Sequence, residues 1–263
     1  KKTTLPPCVM WQNGDFIVRE AAYEKRYQSN VIYSVKRLMG SDESITLIDG
    51  DNTITLTPAE VSSHILKELC KRASVHYNDI TDVVITVPAY FNQKQIEDTL
   101  KAGELAGLNV HHILKEPTSA GYIYSNIDDS ESGEQIIYDL GGGTFDVTHS
   151  ILLKKTPKVQ EVIKNLESYY NIKLDQTIGE NNDKYYSRVL GTYGDMHLGG
   201  DDIDRELARI LLKKAKISKR DIDDEDLEKL ILECEKFKKS GIHGSESTIS
   251  GVTFKMDQEV LRE

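Results

Sequence analysis

The sharpest chemical signal in the sequence is the run Asp139-Leu140-Gly141-Gly142-Gly143-Thr144-Phe145-Asp146. Three consecutive glycines between apolar segments let backbone N–H groups approach an anion with no Cβ in the way. Thr144 adds a hydroxyl donor at the same turn. Asp139 closes one segment and Asp146 opens the next, so both carboxylates can face a phosphate-bound Mg²⁺, an ion that takes oxygen ligands octahedrally and keeps several of its waters. A glycine turn with solvated acids on either side is the commoner meaning of three glycines. Here the flanking aspartates and the internal threonine favour phosphate binding.

Other reactive residue types carry weaker signals. A Lys-Arg pair such as Lys36-Arg37 is ordinarily surface charge, and an acid before proline, such as Glu116, ordinarily complements a helix N-terminus. His111 and His112 are adjacent, so in a strand they point to opposite faces and do not chelate one metal. Cys8, Cys70 and Cys234 are far apart and form no CxxC pair, which fits a reducing compartment. Cys234 reads as a small buried hydrophobe on a helix rather than a nucleophile. With 43 acidic against 33 basic residues the net charge is −10, which argues against nucleic acid and anionic membrane as general partners. No apolar run reaches the roughly 20 residues of a membrane span.

The elements that must position these residues alternate in type. Residues 45–56 read as a hairpin around Asp49-Gly50-Asp51-Asn52. Thr57-Pro58-Ala59-Glu60 is a capping box with proline at the first helical position, and Val61, Ile65, Leu69 and Ala73 continue at helical spacing for about 15 residues. Residues 82–88 form a continuous β-branched run of the kind covered on both faces. Asn92 and Gln95 make a second capping pattern, for a helix ending at Gly107. A strand at 109–114, a short helix from Pro117, and strands at 136–140 and 147–153 joined by the glycine turn follow. Residues 154–188, with tyrosine pairs at 169–170 and 185–186, read as a surface insertion, helical around 159–166, whose tyrosines pack as a satellite. Residues 201–240 are helical with a break near Ser218, and 252–255 is a strand. Strands alternating with helices predict an α/β fold.

The glycine run resembles the second phosphate loop of the seventy-kilodalton heat-shock chaperone family (DnaK-like), whose ATPase domain belongs to the actin and sugar-kinase superfamily. Matching segments occur in the family's order at Val31–Gly40, Val84–Asn92, Ala106–Val110, Lys115–Ser119 and His197–Asp204. The resemblance implies an actin-like ATPase fold with two lobes around a nucleotide cleft, lobe I over residues 1–133 and lobe II over residues 134–263. It also implies a chain truncated at both ends, lacking the family's first phosphate loop and its closing glycine segment.

Residue roles follow from the same resemblance. Lys36 matches the catalytic lysine near the γ-phosphate, where an ammonium offsets developing charge and helps place water. Glu116, Asp139 and Asp146 match acids around Mg²⁺ and its waters, and Thr144 matches the γ-phosphate hydroxyl. Gly141, Gly142, Gly143, Gly199 and Gly200 match backbone approaching the nucleotide, and Glu235, Lys238 and Lys239 lie where the family holds ribose and base. Lys239 replaces the usual arginine and cannot stack a planar head on adenine. Ile242 stands where serine is usual, and Ile96 where an arginine relays to the peptide-binding domain.

The implied activity is Mg²⁺-dependent ATP hydrolysis driving a chaperone's peptide-binding cycle, with ATP or ADP as ligand. The implied partners are a J-domain protein, a nucleotide exchange factor and unfolded polypeptide, the last held by a domain absent from this chain. The implied location is cytoplasmic. Two alternatives stay open: a nucleotide-binding relative without useful turnover, motivated by Ile96, Lys239, Ile242 and residues 154–188, and another superfamily branch such as a sugar kinase.

Overall fold

The structure is a computed structural model and describes residues 6–18, 20–77, 79–127, 133–154, 156–170, 185–240, 245–257 and 260. Strands β1 (Cys8–Gln12), β2 (Asp15–Ile17) and β3 (Val31–Tyr33) form an antiparallel sheet of order β2-β1-β3, with helix α1 (Glu20–Glu24) inserted before β3. A 3₁₀ turn at Val35–Leu38 follows directly. The hairpin β4 (Ile45–Asp49) and β5 (Asn52–Leu56) leads into α2 (Pro58–Ala73). Next come β6 (Asp82–Val87), α3 (Gln93–Leu105) and β7 (Asn109–Lys115), a βαβ unit with parallel strands, and then α4 (Glu116–Ile127). Strands β8 (Gly133–Leu140), β9 (Phe145–Lys154) and β10 (Tyr185–Asp195) form an antiparallel sheet of order β10-β9-β8, with α5 (Pro157–Tyr170) between β9 and β10 in the chain. Helices α6 (Gly200–Lys214) and α7 (Asp224–Ser240) precede a hairpin of β11 (Ser245–Ile249) and β12 (Val252–Met256). The architecture is mixed α/β.

Local chemistry accounts for the boundaries. Asp49 pairs with Asn52 across a two-residue turn whose Gly50 has φ +59°, the left-handed conformation such turns need. The Thr57 hydroxyl accepts from the Glu60 N–H while the Glu60 carboxylate accepts from the Thr57 N–H, closing a reciprocal cap on α2. Asn92 and Gln95 do the same for α3. Gly107, at φ +78°, turns the chain out of α3 toward β7.

Four buried clusters among the described residues hold the elements together, one of them Cys8, Met10 and Ala22 between the β1–β3 sheet and α1. Leu207, Leu211, Leu230, Phe237 and Phe254 join α6 and α7 to the β11–β12 hairpin. Val9, Trp11, Val35, Leu47 and Val61 join β1, the 3₁₀ turn, β4 and α2. Met39, Val87 and Phe91 form a smaller cluster against which Ile96 packs, so Ile96 serves as an apolar contact here. Cys8 and Cys234 are both fully buried, and burial pushes each thiol up to about 12. Among the described residues, no helix is long and apolar enough to cross a membrane.

Several expectations are corrected. β6 alternates exposed and half-buried positions up to the buried Val87 instead of being covered on both faces, because among the described residues it pairs only with β7 and leaves Val84 open to solvent. The helix in the 154–188 segment runs to Tyr170, well beyond 166. Tyr169 is 82% exposed, so it does not pack as a satellite. Residues 171–184 of that segment, and Ile242, lie outside the described residues. The β1–β3 sheet, α1 and β11 were not foreseen, since their strands are short.

Leu230 has no exposed surface and lies at the centre of the α6–α7 cluster. Leu230→Ala should cost about 2–5 kcal/mol through lost burial and the cavity left behind. Denaturant unfolding at constant m-value checks it.

Candidate functional site

A cleft of about 830 Å³ opens where the 3₁₀ turn, the Gly141–Thr144 turn and the N-termini of α4 and α6 approach one another. Lys36, Glu116, Asp139, Gly141, Gly142, Gly143, Thr144, Gly200, Glu235, Lys238 and Lys239 all line it. These residues span some 200 positions of sequence, and the fold brings them to one surface. Asp146 and Gly199, the remaining sequence-predicted positions, lie behind that surface and not on it.

The glycine turn is built by its neighbours. β8 and β9 stay in register to the pairs Asp139↔Asp146 and Leu140↔Phe145, and the Gly141 N–H donates to the Thr144 carbonyl at 2.9 Å. The first residues of α6 then dock on the turn. The Gly200 N–H donates to the Gly141 carbonyl at 3.0 Å, and the Asp201 N–H to the Gly142 carbonyl at 2.7 Å. A Cβ on Gly199 would lie 2.5 Å from the Gly142 carbonyl oxygen, so this contact needs glycine for space alone. Gly199→Ala should separate α6 from the turn at a cost of about 1–3 kcal/mol, read as a lowered thermal midpoint.

Charges line the cleft in pairs. The Lys36 ammonium meets Glu116 Oε1 at 2.8 Å, with both side chains partly exposed. Lys238 donates to the Gly200 carbonyl at 2.6 Å and to Asp204 at 2.9 Å. At the far end, Glu235 accepts from the Tyr23 hydroxyl and from Lys239, and Arg26 Nη1 lies 2.8 Å from its other oxygen. Burial opposes ionisation of Glu235, but the hydrogen bonds from Lys239 and Tyr23 and the Arg26 charge outweigh it and hold the carboxyl below its usual range. The Arg26 guanidinium sits 4.4 Å from the Tyr23 ring centre and 5.5 Å from that of Tyr33. Tyr23, Arg26, Ser34, Arg37 and Asp204 escaped the sequence reading. Arg37 stood beside Lys36, and Ser34 and Asp204 fell inside segments matched to the family without being given a role.

Asp146 is 4% exposed, and its Oδ1 has no hydrogen-bond donor among the described residues. Burial first, and then the charges of Glu116 and Asp139, push its carboxyl up from 3.8 to about 6. Glu116 and Asp139 at one end of the cleft, with the Asp146 carboxyl buried behind them, make an acidic end that suits a divalent cation. Among the described residues no three His, Cys, Asp or Glu side chains converge as direct ligands of a metal ion.

The raised value also sets a pH dependence. The folded protein binds the Asp146 proton more tightly than the unfolded chain, so stability falls as pH rises from about 4 to about 6 and stays reduced above. Asp146→Asn should remove that slope and raise the thermal midpoint at pH 7.5 relative to the parent, by an amount corresponding to about 1–3 kcal/mol. Near pH 4 the two proteins should melt together. Melting curves from pH 4 to 8 measure both.

Comparison with known proteins places this geometry in a family. A family model described as Hsp70 protein matches residues 1–160 and 182–261. The chain is 36% identical over 258 residues to "Chaperone protein DnaK" of Mesomycoplasma hyopneumoniae (strain J), covering 95% of this chain and 37% of that protein. It is 36% identical over 241 residues to "Chaperone protein HscA" of Buchnera aphidicola subsp. Acyrthosiphon pisum, covering 84% of this chain and 34% of that protein. The chain thus spans about a third of the length of the curated relatives it matches. With the matched segments running almost from end to end and the same segments lining the cleft, the chain belongs to the Hsp70 family.

Proposed function

We propose that this chain is the ATP-binding and ATP-hydrolysing part of an Hsp70 molecular chaperone, with an actin-like fold whose lobe I spans residues 1–133 and lobe II residues 134–263. The observation that carries this reading is the convergence of Lys36, Glu116, Asp139 and the Gly141–Thr144 turn on one cleft. A hydrolytic phosphoryl-transfer site needs positioned donors and cations where charge develops, and little covalent chemistry. The turn supplies donors to phosphate. Lys36, held by Glu116 at 2.8 Å, supplies a cation whose position is set before ligand arrives. Glu116 and Asp139 accept hydrogen bonds from water in the cleft and so orient it for in-line attack.

Mg²⁺ fits the acidic end formed by Glu116, Asp139 and Asp146, whose Oδ1 is buried without a donor. When bound it neutralises phosphate charge. Glu116 and Asp139 would hold its water shell and restrict the pose of the phosphate. Lys238 and Glu235 lie where ribose hydroxyls would be bound, and Lys239 offers a charge but no planar stacking surface for the base.

In the full-length protein, hydrolysis would drive cycles of unfolded-polypeptide binding in the cytoplasm, with a J-domain protein and a nucleotide exchange factor as partners. The acidic surface leaves nucleic acid and membrane aside.

Thermal melting with Mg-ADP and Mg-ATP tests binding. At 100 times the dissociation constant a ligand adds about 2.7 kcal/mol, a visible rise in midpoint that Asp139→Ala should abolish. Single-turnover hydrolysis separates turnover from binding alone. Lys36→Ala should lower the rate by about 10²-fold while the midpoint rise with Mg-ADP persists. A parent protein that binds nucleotide without Lys36-dependent turnover would support the inactive relative, and a rate raised by sugar instead of unfolded peptide would support the sugar kinase branch.

A further inference from the structure

The four carbonyl oxygens of the Gly141–Thr144 turn are each taken by a protein donor. Gly200 and Asp201 N–H groups take those of Gly141 and Gly142, and the Gly141 N–H takes that of Thr144. The fourth, on Gly143, is taken by a side chain: Arg37 Nε donates to it at 2.9 Å and Nη2 at 2.7 Å. The other edge of the same guanidinium engages Asp202 on α6, with Nη1 to Oδ1 at 3.1 Å and Nη2 to Oδ2. By contrast, the N–H groups of Gly142, Gly143 and Thr144 make no backbone hydrogen bond among the described residues. The turn is therefore saturated on its acceptor side and open on its donor side.

A trans peptide unit points its C=O and N–H in opposite directions, so holding the Gly143 carbonyl fixes where the Thr144 N–H points. Glycine backbone is otherwise free to rotate. Rotation of that one unit would turn a carbonyl dipole toward bound phosphate, where its negative end repels. We propose that Arg37 is the positioning residue of the phosphate turn: it holds the Gly143 peptide in the donor-presenting orientation and makes that orientation depend on α6 being docked.

Two features support this assignment. A Cβ on Gly143 would sit 3.2 Å from Arg37 Nε, so the close approach of the guanidinium uses the missing side chain. The turn that carries Arg37 is itself anchored to α6, since Ser34 adopts φ 55° and ψ 30° and its hydroxyl donates to Asp201 Oδ2 at 2.7 Å. A left-handed serine costs on the order of 1 kcal/mol and persists where surroundings hold it. The bond to Asp202 raises Arg37 above its usual range, burial notwithstanding, and a guanidinium keeps its charge across the working pH range.

What the turn holds rests on the nucleotide reading above; its geometry does not, and the test separates the two. Amide hydrogen exchange and titration calorimetry are run on the parent, Arg37→Met and Arg37→Lys, with Mg-ADP and with adenosine as probes. Arg37→Met should raise exchange at the Gly141, Gly200 and Asp201 amides, the ones hydrogen-bonded to the turn, by about tenfold or more, the loss of one charge-assisted bond, and leave the α7 amides unchanged. Mg-ADP affinity should fall about tenfold or more while adenosine affinity moves less than about twofold. Arg37→Lys should resemble Arg37→Met, because an ammonium lacks the fork that spans Gly143 and Asp202 together.

Unchanged exchange in Arg37→Met overturns the proposal whether or not nucleotide binds. Full recovery by lysine overturns it in favour of a point charge. Equal losses for adenosine and Mg-ADP overturn it in favour of general damage to the cleft. A parent protein that binds neither probe defeats the nucleotide reading and leaves the exchange result to decide the role of Arg37. If Arg37→Met fails to fold, the lysine variant carries the same comparison.

Discussion

Everything at the site depends on how closely the first residues of α6 approach the glycine turn. Two N–H groups of the helix donate to two carbonyls of the turn, and a single added methyl at Gly199 would enter the space of the Gly142 carbonyl. Backbone at that distance allows no adjustment by side-chain rotation. The position of α6 in turn follows from α7 and the β11–β12 hairpin, which share its apolar face. A short polar contact is thus held in place by a remote hydrophobic one, the usual division between what positions a site and what stabilises a fold.

Electrostatics at the cleft follow from a similar economy of position. Opposite charges are paired across elements far apart in sequence: Lys36 with Glu116, Arg37 with Asp202, Lys238 with Asp204, and Arg26 with Glu235, which also pairs with Lys239 one turn along its own helix. The partly exposed pairs contribute little to stability individually, whereas Arg26 and Glu235 are both buried, so that removing either would leave the other's charge uncompensated. Their effect is to fix orientations before any ligand arrives, which lowers the ordering cost of binding. Glu235 is the most committed of them, since Tyr23, Arg26 and Lys239 surround it and a nucleoside hydroxyl must join an existing network. Asp146 is the exception, a buried acid for which burial and the like charges of Glu116 and Asp139 outweigh the Lys36 charge.

Much of this was legible because it is encoded locally. The reciprocal caps at Thr57 and Asn92, the left-handed Gly50 and Gly107, and the Asp139–Asp146 turn each rest on residues within a few positions of one another. Ordered segments shared with a known family then named the residues that line the cleft. What escaped depends on distant partners. Arg37 looks like surface charge until Gly143 and Asp202, more than a hundred residues away, are seen to flank it. Tyr23 sits on a five-residue helix that no periodicity marks and Arg26 in the turn just after it, and their partner lies on α7. β6 misled for the complementary reason: its β-branched composition suits a sheet covered on both sides, yet what covers a strand is set by its neighbours.

The two fully buried thiols have a consequence for following the molecule's motions. Cys8 belongs to the cluster under the β1–β3 sheet and Cys234 to the α6–α7 cluster, and burial keeps both protonated at neutral pH. A thiol in that state reacts with an alkylating reagent only when its surroundings open and let it ionise. The chain therefore carries two built-in clocks, one at each end, whose alkylation rates meter the local unfolding of two separate cores. Cys70, partly exposed on α2, marks the fast limit against which both are read.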